Sequence, residues 1–472
     1  MPFTGIKKFF AAPIFSDIRF WIILYFLIRL FHITQPPLEI AHNWRQCTGL
    51  MVSRNFYEID ANIFYPRVDM AGEKTGITGT EFPLFNYLIY LMAKVFGWAD
   101  WYGRLINLIV SSLGIFWFYK IIKKYFNPRV AFYASFVLLN SLWFAYSRKT
   151  MPDTFSLALV LGGLYYGLEY LFHGKRWRLL LFAVFSFCGI MSKIPAGYIL
   201  VVLILPFLDG KVTISRKLLM ALSFGFISIP VVWWYFIWVP YLVSHFGFWH
   251  YYMGTTLNTG MHEIATHLDQ AVEKFYFAAL NYIGFSLFIG GLIWAFIKKQ
   301  KRLLSVFFLC FAAFIIFILK AGFAFYHHKY YIIPFVPVMA LLAGYLLSEI
   351  KFPAIAKILA FAVACEVILN SLDDFRINSD QRYKQTLEIL TDKYVRPGDL
   401  VAINCGPNPQ QIYLSHRKGW NLEDSSQVTA SYIEQIKSKG CKIVIINKHE
   451  KYVPLLPFPV IGGSNDFIFY KL

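Results

Sequence analysis

The chain has 472 residues, of which 57% are hydrophobic and only 15% charged, against about 25% charged residues in soluble domains. That composition excludes a soluble globular protein and a disordered one. The formal net charge of +18 does not indicate nucleic acid, because the basic residues gather in short segments between apolar spans instead of forming a solvent-facing stripe.

About eleven apolar stretches approach the length that crosses a ~30 Å hydrocarbon layer, which predicts a polytopic α-helical membrane protein. In chain order they run over residues 18 to 34, 101 to 119, 130 to 146, 154 to 172, 179 to 191, 195 to 208, 218 to 239, 279 to 297, 303 to 320, 331 to 348 and 354 to 371. The first follows Lys7 and Lys8 and runs into Gln35-Pro36-Pro37 with no small-residue cleavage site, so it reads as an uncleaved span. Basic clusters recur at Lys120/Lys123/Lys124/Arg129, Lys175/Arg176/Arg178, Lys211/Arg216/Lys217, Lys298/Lys299/Lys301/Arg302 and Lys351/Lys357, each one pair of crossings from the next. These ends are expected in the cytoplasm, with the N-terminus, while the C-terminus lies outside. The expected location is a bacterial inner membrane.

Residues 83 to 97 are apolar, but counting them as a crossing would move Lys120, Lys123 and Lys124 to the outer face; a helix on the outer surface is expected instead. The long segments 35 to 100, 241 to 280 and 372 to 472 then all face outward. Residues 179 to 208 form a hairpin with arms of 13 and 14 residues, or ~20 Å of helix, so its tip, Ser192-Lys193-Ile194-Pro195, is expected below the outer membrane surface.

The tail differs in kind. Residues 379 to 394 and 427 to 439 have helical periodicity, 399 to 404 and 442 to 447 read as buried strands, and 467 to 470 as a third. The expected organisation is a membrane domain, 1 to 371, that includes the outer loops 35 to 100 and 241 to 280, followed by a small extracytoplasmic α/β domain, 372 to 472. Of the six cysteines, Cys188, Cys310 and Cys365 lie in apolar spans, and the others show no metal-ligand spacing. Cys405 and Cys441 fall at opposite ends of parallel strands, ~15 Å or more apart, too far for a disulfide.

Polar and ionisable residues at the outer ends are the candidates for chemistry. They are His42, Trp44, Arg45, Asp69 and Glu81 in the first loop, Asp153 after Met151-Pro152, Lys193 at the hairpin tip, and His328, Tyr330 and Tyr331 before the tenth span. Each also has a structural reading. Asp153 would cap the helix that begins there, Lys193 would snorkel, the tyrosines would belong to an aromatic belt, and Glu81 would favour the positive start of a helix. Adjacent His327 and His328 do not share a helical face, so a metal site made from them alone is not expected.

In this order and at these positions the motifs resemble the GT-C superfamily of membrane glycosyltransferases, in particular the branch of the lipid A aminoarabinose transferases and protein O-mannosyltransferases. The carrying motifs are Trp44-Arg45-Gln46, Glu81-Phe82-Pro83-Leu84, Pro152-Asp153, Ser192-Lys193-Ile194-Pro195 and His328-Lys329-Tyr330-Tyr331. Two departures stand out: His42-Asn43 replaces an early acidic residue, and Phe82 replaces a lysine.

Outside the cytoplasm there is no supply of nucleotide sugars, so an outer-face transferase needs a sugar already tethered to the membrane, and the resemblance implies a polyprenyl-phosphate-linked donor. The acceptor is expected to be a hydroxyl of a lipid, glycan or protein, which calls for a carboxylate base; Asp153 is the first candidate, with Glu81 and Asp69 second. Lys193, Arg45 and His328 are expected to meet the leaving phosphate, with His42, Trp44, Tyr330 and Tyr331 as further substrate contacts. No cofactor is required by this chemistry, and a divalent metal is left open. The alternatives are a membrane transporter or lipid flippase, which would show repeats with broken helices, and a non-catalytic assembly protein.

Overall fold

The computed structural model describes residues 13–247 and 254–472, so the Lys7/Lys8 cluster lies outside the described residues. Every apolar stretch predicted as a crossing is helical: Ile18–Arg29, Tyr102–Tyr125, Pro128–Leu139 continued by Leu142–Tyr146, Pro152–His173, Arg176–Ser192, Ile194–Leu208, Ile214–Phe246, Asn281–Ile297, Lys301–Ala321, Lys329–Glu349 and Pro353–Asn370. Among the described residues six helices are long and apolar enough to cross a membrane, and Leu268–Ala279 with Asn281–Ile297, bent by 98°, makes a seventh. The rest are shorter.

Local chemistry explains the breaks. At the end of Pro128–Leu139 the amide of Asn140 donates back to the carbonyl of Phe136 (2.9 Å), and the Ser141 hydroxyl accepts from the Trp143 backbone N–H (3.1 Å) to start a new helix. Pro334 and Pro337 turn the start of the tenth stretch into a 3-10 segment, Lys329–Phe335, before the α-helix Val336–Glu349.

The chain groups into two compact units. The first comprises Met1–Ile33, Arg104–Val232 and Tyr252–Leu372. At one end of its helices the basic clusters converge. Lys124 and Arg178 both pair with Glu169, Arg178 at 2.7 Å; Arg216 donates to the carbonyls of Leu171 and Phe172; Arg129 reaches the carbonyl of Ile350, and Arg302 that of Tyr125. Asp153 and Lys193 lie at the opposite ends of the same helices. The sequence-derived sidedness of the charge is thus a property of the packed unit.

The second unit comprises Thr34–Gly103, Trp233–Tyr251 and Asp373–Leu472. Its sheet has the order β2-β1-β3-β5-β4, where β1 is Leu400–Asn404, β2 Gly419–Leu422, β3 Cys441–Asn447, β4 Val460–Gly463 and β5 Phe467–Lys471. β1 runs parallel to both β2 and β3, while β5 is antiparallel to β3 and β4. Alternation along the strands makes two cores. Val401, Ile403, Ile443, Ile445, Phe467 and Phe469 pack with Cys47, Leu50, Met51 and Phe56 of helix Asn43–Glu58, while Ala402, Val444, Ile446 and Tyr470 pack with Ile433 and Ile436 of helix Ala430–Ser438.

This grouping departs from the sequence expectation, which assigned the first outer loop to the membrane domain. A soluble core needs apolar cover on both sheet faces, and for one face the loop supplies it. The backbone joins too: Gly419 N–H donates to the Asp69 carbonyl (2.9 Å), and Gly72 N–H to that of Gly419 (2.7 Å). The 83 to 97 stretch is helix Leu84–Phe96; Phe85, Ile89, Tyr90 and Ala93 are buried, and Phe56 meets Tyr87 at 5.5 Å, while Val95 and Phe96 are exposed. All six cysteines are free, with Cys441 opposite Leu400 and Cys405 beyond the far end of β1.

Candidate functional site

In the first unit the expected base and the expected phosphate contact are bonded to each other. Lys193 Nζ lies 2.6 Å from Asp153 Oδ1, with side chains 12% and 3% exposed. The Asp153 Oδ2 atom is buried with no hydrogen-bond partner among the described residues. The ammonium also sits over the rings of Tyr330 (4.9 Å) and Tyr331 (5.7 Å), an arrangement that stabilises a partly desolvated cation by ~0.5–2 kcal/mol. His328 stacks on Tyr330 with centroids 5.0 Å apart, and Tyr331 on Phe317 at 5.9 Å. A small cavity lined by Asp153, Lys193, Pro195, Phe317, Tyr330 and Tyr331 opens between them.

Asp153 does not cap its helix. Pro152 takes the first helical position, the capping residue is Met151 without a side-chain bond, and the carboxylate of Asp153 turns to Lys193. The segment leading into it is held by Asn107, whose amide donates to the carbonyls of Tyr146 (3.0 Å), Lys149 (2.8 Å) and Met151 (3.1 Å), while its oxygen accepts from Thr154 (3.0 Å) and Ser111 (2.8 Å). Sequence reasoning missed Asn107, although a lone asparagine within an apolar span is a signal of the kind that singled out Lys193.

The tip that carries Lys193 is fixed against Pro152–His173. Ser156 donates to the carbonyls of Gly189 (2.5 Å) and Lys193 (3.3 Å). The helices cross closely at Gly189, where an added Cβ would stand 2.8 Å from the Ser156 carbonyl oxygen.

The hairpin has arms longer than the 13 and 14 residues expected, yet neither is among the helices long enough to cross a membrane. Its first arm is the 17-residue helix Arg176–Ser192, about 26 Å long. The second arm opens as a ten-residue 3-10 helix, Ile194–Leu203, and continues to Leu208, which makes roughly 27 Å, so both arms stay below the ~30 Å core thickness. The tyrosines and Asp153 bury Lys193 within the packed unit.

In the second unit two further candidates pair. Arg45 Nη2 lies 2.6 and 2.5 Å from the two oxygens of Glu81, with side chains 24% and 12% exposed. His42 occupies the capping position of helix Asn43–Glu58 in the left-handed region (φ 58°), and Trp44 in its first turn is exposed. Asp69 is bonded on both oxygens, away from Asp153 and Lys193. Its Oδ2 accepts from Arg54 (3.0 Å) and its Oδ1 from Asn55 (2.9 Å), and Arg54 also donates to the Tyr413 carbonyl (3.1 Å) and lies over that ring. A carboxylate so occupied anchors the loop to the sheet domain. Among the described residues no three His, Cys, Asp or Glu side chains form a metal-holding group.

Comparison with known proteins agrees with this architecture. Residues 80–236 match the family model of dolichyl-phosphate-mannose-protein mannosyltransferases. No curated relative matches the sequence. The solved structure of ArnT from Cupriavidus metallidurans bound to undecaprenyl phosphate superposes with a TM-score of 0.59 at 13% identity, covering 95% of this chain and 97% of that one. The archaeal oligosaccharyltransferase AglB from Archaeoglobus fulgidus, in complex with an inhibitory peptide and a dolichol-phosphate, gives 0.51 at 12% identity, covering 91% and 69%. With a bundle of apolar helices, a small α/β unit and structural matches along nearly its whole length, the chain shares the fold of ArnT and AglB.

Proposed function

We propose that the protein transfers a sugar from a polyprenyl-phosphate donor to a hydroxyl acceptor on the non-cytoplasmic face of the membrane. The observation that carries this reading is the buried Asp153–Lys193 pair set against the rings of Tyr330 and Tyr331. The acceptor oxygen attacks C1 of the sugar, the C1–O bond to phosphate breaks with its electrons going to the phosphate, and the acceptor proton passes to a carboxylate. Asp153 suits that role because Oδ2 is unoccupied while Lys193 orients Oδ1. An ammonium has three N–H donors, so Lys193 can hold the carboxylate and meet the growing phosphate charge together.

His328 and the two tyrosines would line the approach, His328 as a donor to phosphate. Glu81 and Arg45 stay candidates on the strength of the sequence resemblance and of their own pair. ArnT bound to undecaprenyl phosphate and AglB with a dolichol-phosphate support a lipid-phosphate carrier. The test is reconstitution of the purified protein with polyprenyl-phosphate sugars and a panel of lipid, glycan and peptide hydroxyl acceptors. The reading predicts release of polyprenyl phosphate coupled to acceptor glycosylation; movement of lipid across the bilayer with no bond cleaved would favour a flippase instead.

A further inference from the structure

At the other end of the first unit, helices Tyr102–Tyr125, Pro152–His173, Ile194–Leu208, Lys301–Ala321 and Val336–Glu349 enclose a cavity of about 660 Å³, within the ~300–1,000 Å³ range of ligand pockets. Its wall is apolar, with Leu161, Leu164, Leu168, Ile199, Val202 and Leu341 among the lining side chains. Its mouth is cationic: Lys211, Lys301 and Arg302 line it against one acid, Asp209, which already accepts from the Lys211 backbone N–H (2.9 Å). Helix Lys301–Ala321 begins at this mouth, so the positive end of its dipole adds to the same field. The Tyr125 hydroxyl also lines the cavity, buried with no hydrogen-bond partner among the described residues.

The cationic mouth of this cavity is too far from Lys193 to share one phosphate with it. From Ile194 to Leu208 the chain advances ten 3-10 residues and five α-helical ones, or roughly 27 Å. Along Lys301–Ala321 the step from Phe317 beside Lys193 back to Lys301 is about 24 Å. A lipid with its phosphate at Lys193 therefore leaves the cationic mouth without an anion.

We propose that the cavity holds the acyl chains of an acidic glycerophospholipid whose phosphate sits among Lys211, Lys301 and Arg302. The apolar wall takes the chains, and the net positive mouth selects an anionic headgroup over a zwitterionic one. The site is independent of which sugar the opposite end handles.

Native mass spectrometry of the full chain in detergent, titrated with phosphatidylglycerol, phosphatidylcholine or a polyprenyl phosphate, tests this. Phosphatidylglycerol should be retained about tenfold or more tightly than phosphatidylcholine, since basic residues attract an anionic headgroup more than a zwitterionic one. Replacing Lys211, Lys301 and Arg302 together by Gln should abolish that preference, and Lys301→Arg should keep it. Should the triple variant fold poorly, Val202→Phe with Val306→Phe narrows the cavity and should weaken retention of the lipid with the cations intact. Equal retention of the two phospholipids, or an unchanged preference in the triple variant, would overturn the proposal. So would selective retention of the polyprenyl phosphate that is lost in the triple variant, which would make the cavity a second carrier-lipid site.

Discussion

Lys193 and Asp153, 40 residues apart in sequence, form a 2.6 Å ion pair in which both side chains are nearly buried. Neither group is then independent: they are in direct ionic contact, and a change at one alters the surroundings of the other. Removing one partner of such a pair leaves an uncompensated charge, at a cost of ~3–5 kcal/mol when burial is complete.

Lys193→Ala should therefore lower turnover by roughly 30-fold to 1000-fold, or about 2–4 kcal/mol of transition-state stabilisation. Lys193→Arg should lose much less, since it keeps the charge although its planar fork differs from a compact ammonium. The double variant with Asp153→Asn should fall short of the summed single effects by ~0.5–3 kcal/mol, because the residues touch. Rates at saturating donor for the parent, the three single variants and the double variant check this, and near-normal turnover in both Lys193 variants would remove it from the site.

Asp69 should behave differently. Asp69→Ala strips the carboxylate from buried Arg54 and loosens the first loop from the sheet, so the expected outcome is lower thermal stability by ~3–5 kcal/mol. Asp69→Asn, which keeps one acceptor oxygen, enough for Asn55 or Arg54 but not both, should retain measurable turnover in whatever fraction stays folded. Complete loss of turnover in a fully folded Asp69→Asn protein would return it to the catalytic set.

Stability of the second unit should depend on pH through His416, which joins Glu388 (2.7 Å) and Glu58 (3.0 Å). Hydrogen bonds to Glu388 and then to Glu58 raise its pKa from 6.5 to about 9. Because the folded pKa is the raised one, this contribution is fully present below pH 6.5 and is lost as the pH climbs through about 9. The carboxyl of Glu388 is lowered by the same bond, so its share fades as the pH falls below its ordinary 4.5. Unfolding followed across pH should show His416→Asn converging with the parent above pH 9; Asn also tolerates the left-handed backbone there (φ 50°). A constant difference at all pH values would contradict the assignment.

Much of the fold is legible from periodicity alone. Each apolar stretch is helical, and Asp399 to Asn404, Lys442 to Asn447 and Phe467 to Tyr470 all fall on strands or within one residue of one. Strands β2 and β4 escape because Gly419–Leu422 and Val460–Gly463 are short and carry no clean alternation. The partnership of helix Asn43–Glu58 with the sheet is likewise invisible in sequence, since it joins residues more than 340 positions apart. At the site, charged residues at the ends of apolar spans point to Asp153 and Lys193, but their mutual bond needs the hairpin crossing at Gly189 to be seen. Arm length in residues understates the second arm, because a 3-10 helix covers more distance per residue than an α-helix.

The orientation of the chain has its own check. A reporter fused after Leu472 should be active only outside the cytoplasm, as the basic clusters gathered around Glu169 and Arg302 demand. Cytoplasmic activity at that fusion point would invert the assignment of faces.

The central claim is that the Asp153 carboxylate takes the acceptor proton, and turnover of Asp153→Asn with a polyprenyl-phosphate sugar and an accepted hydroxyl substrate tests it most directly. Asparagine keeps the shape and an oxygen for Lys193 but cannot hold the proton, so the account predicts a folded protein that binds the donor and transfers sugar at least about 100-fold more slowly. Transfer at the parent rate by a folded Asp153→Asn protein would contradict it and make Glu81 the leading base.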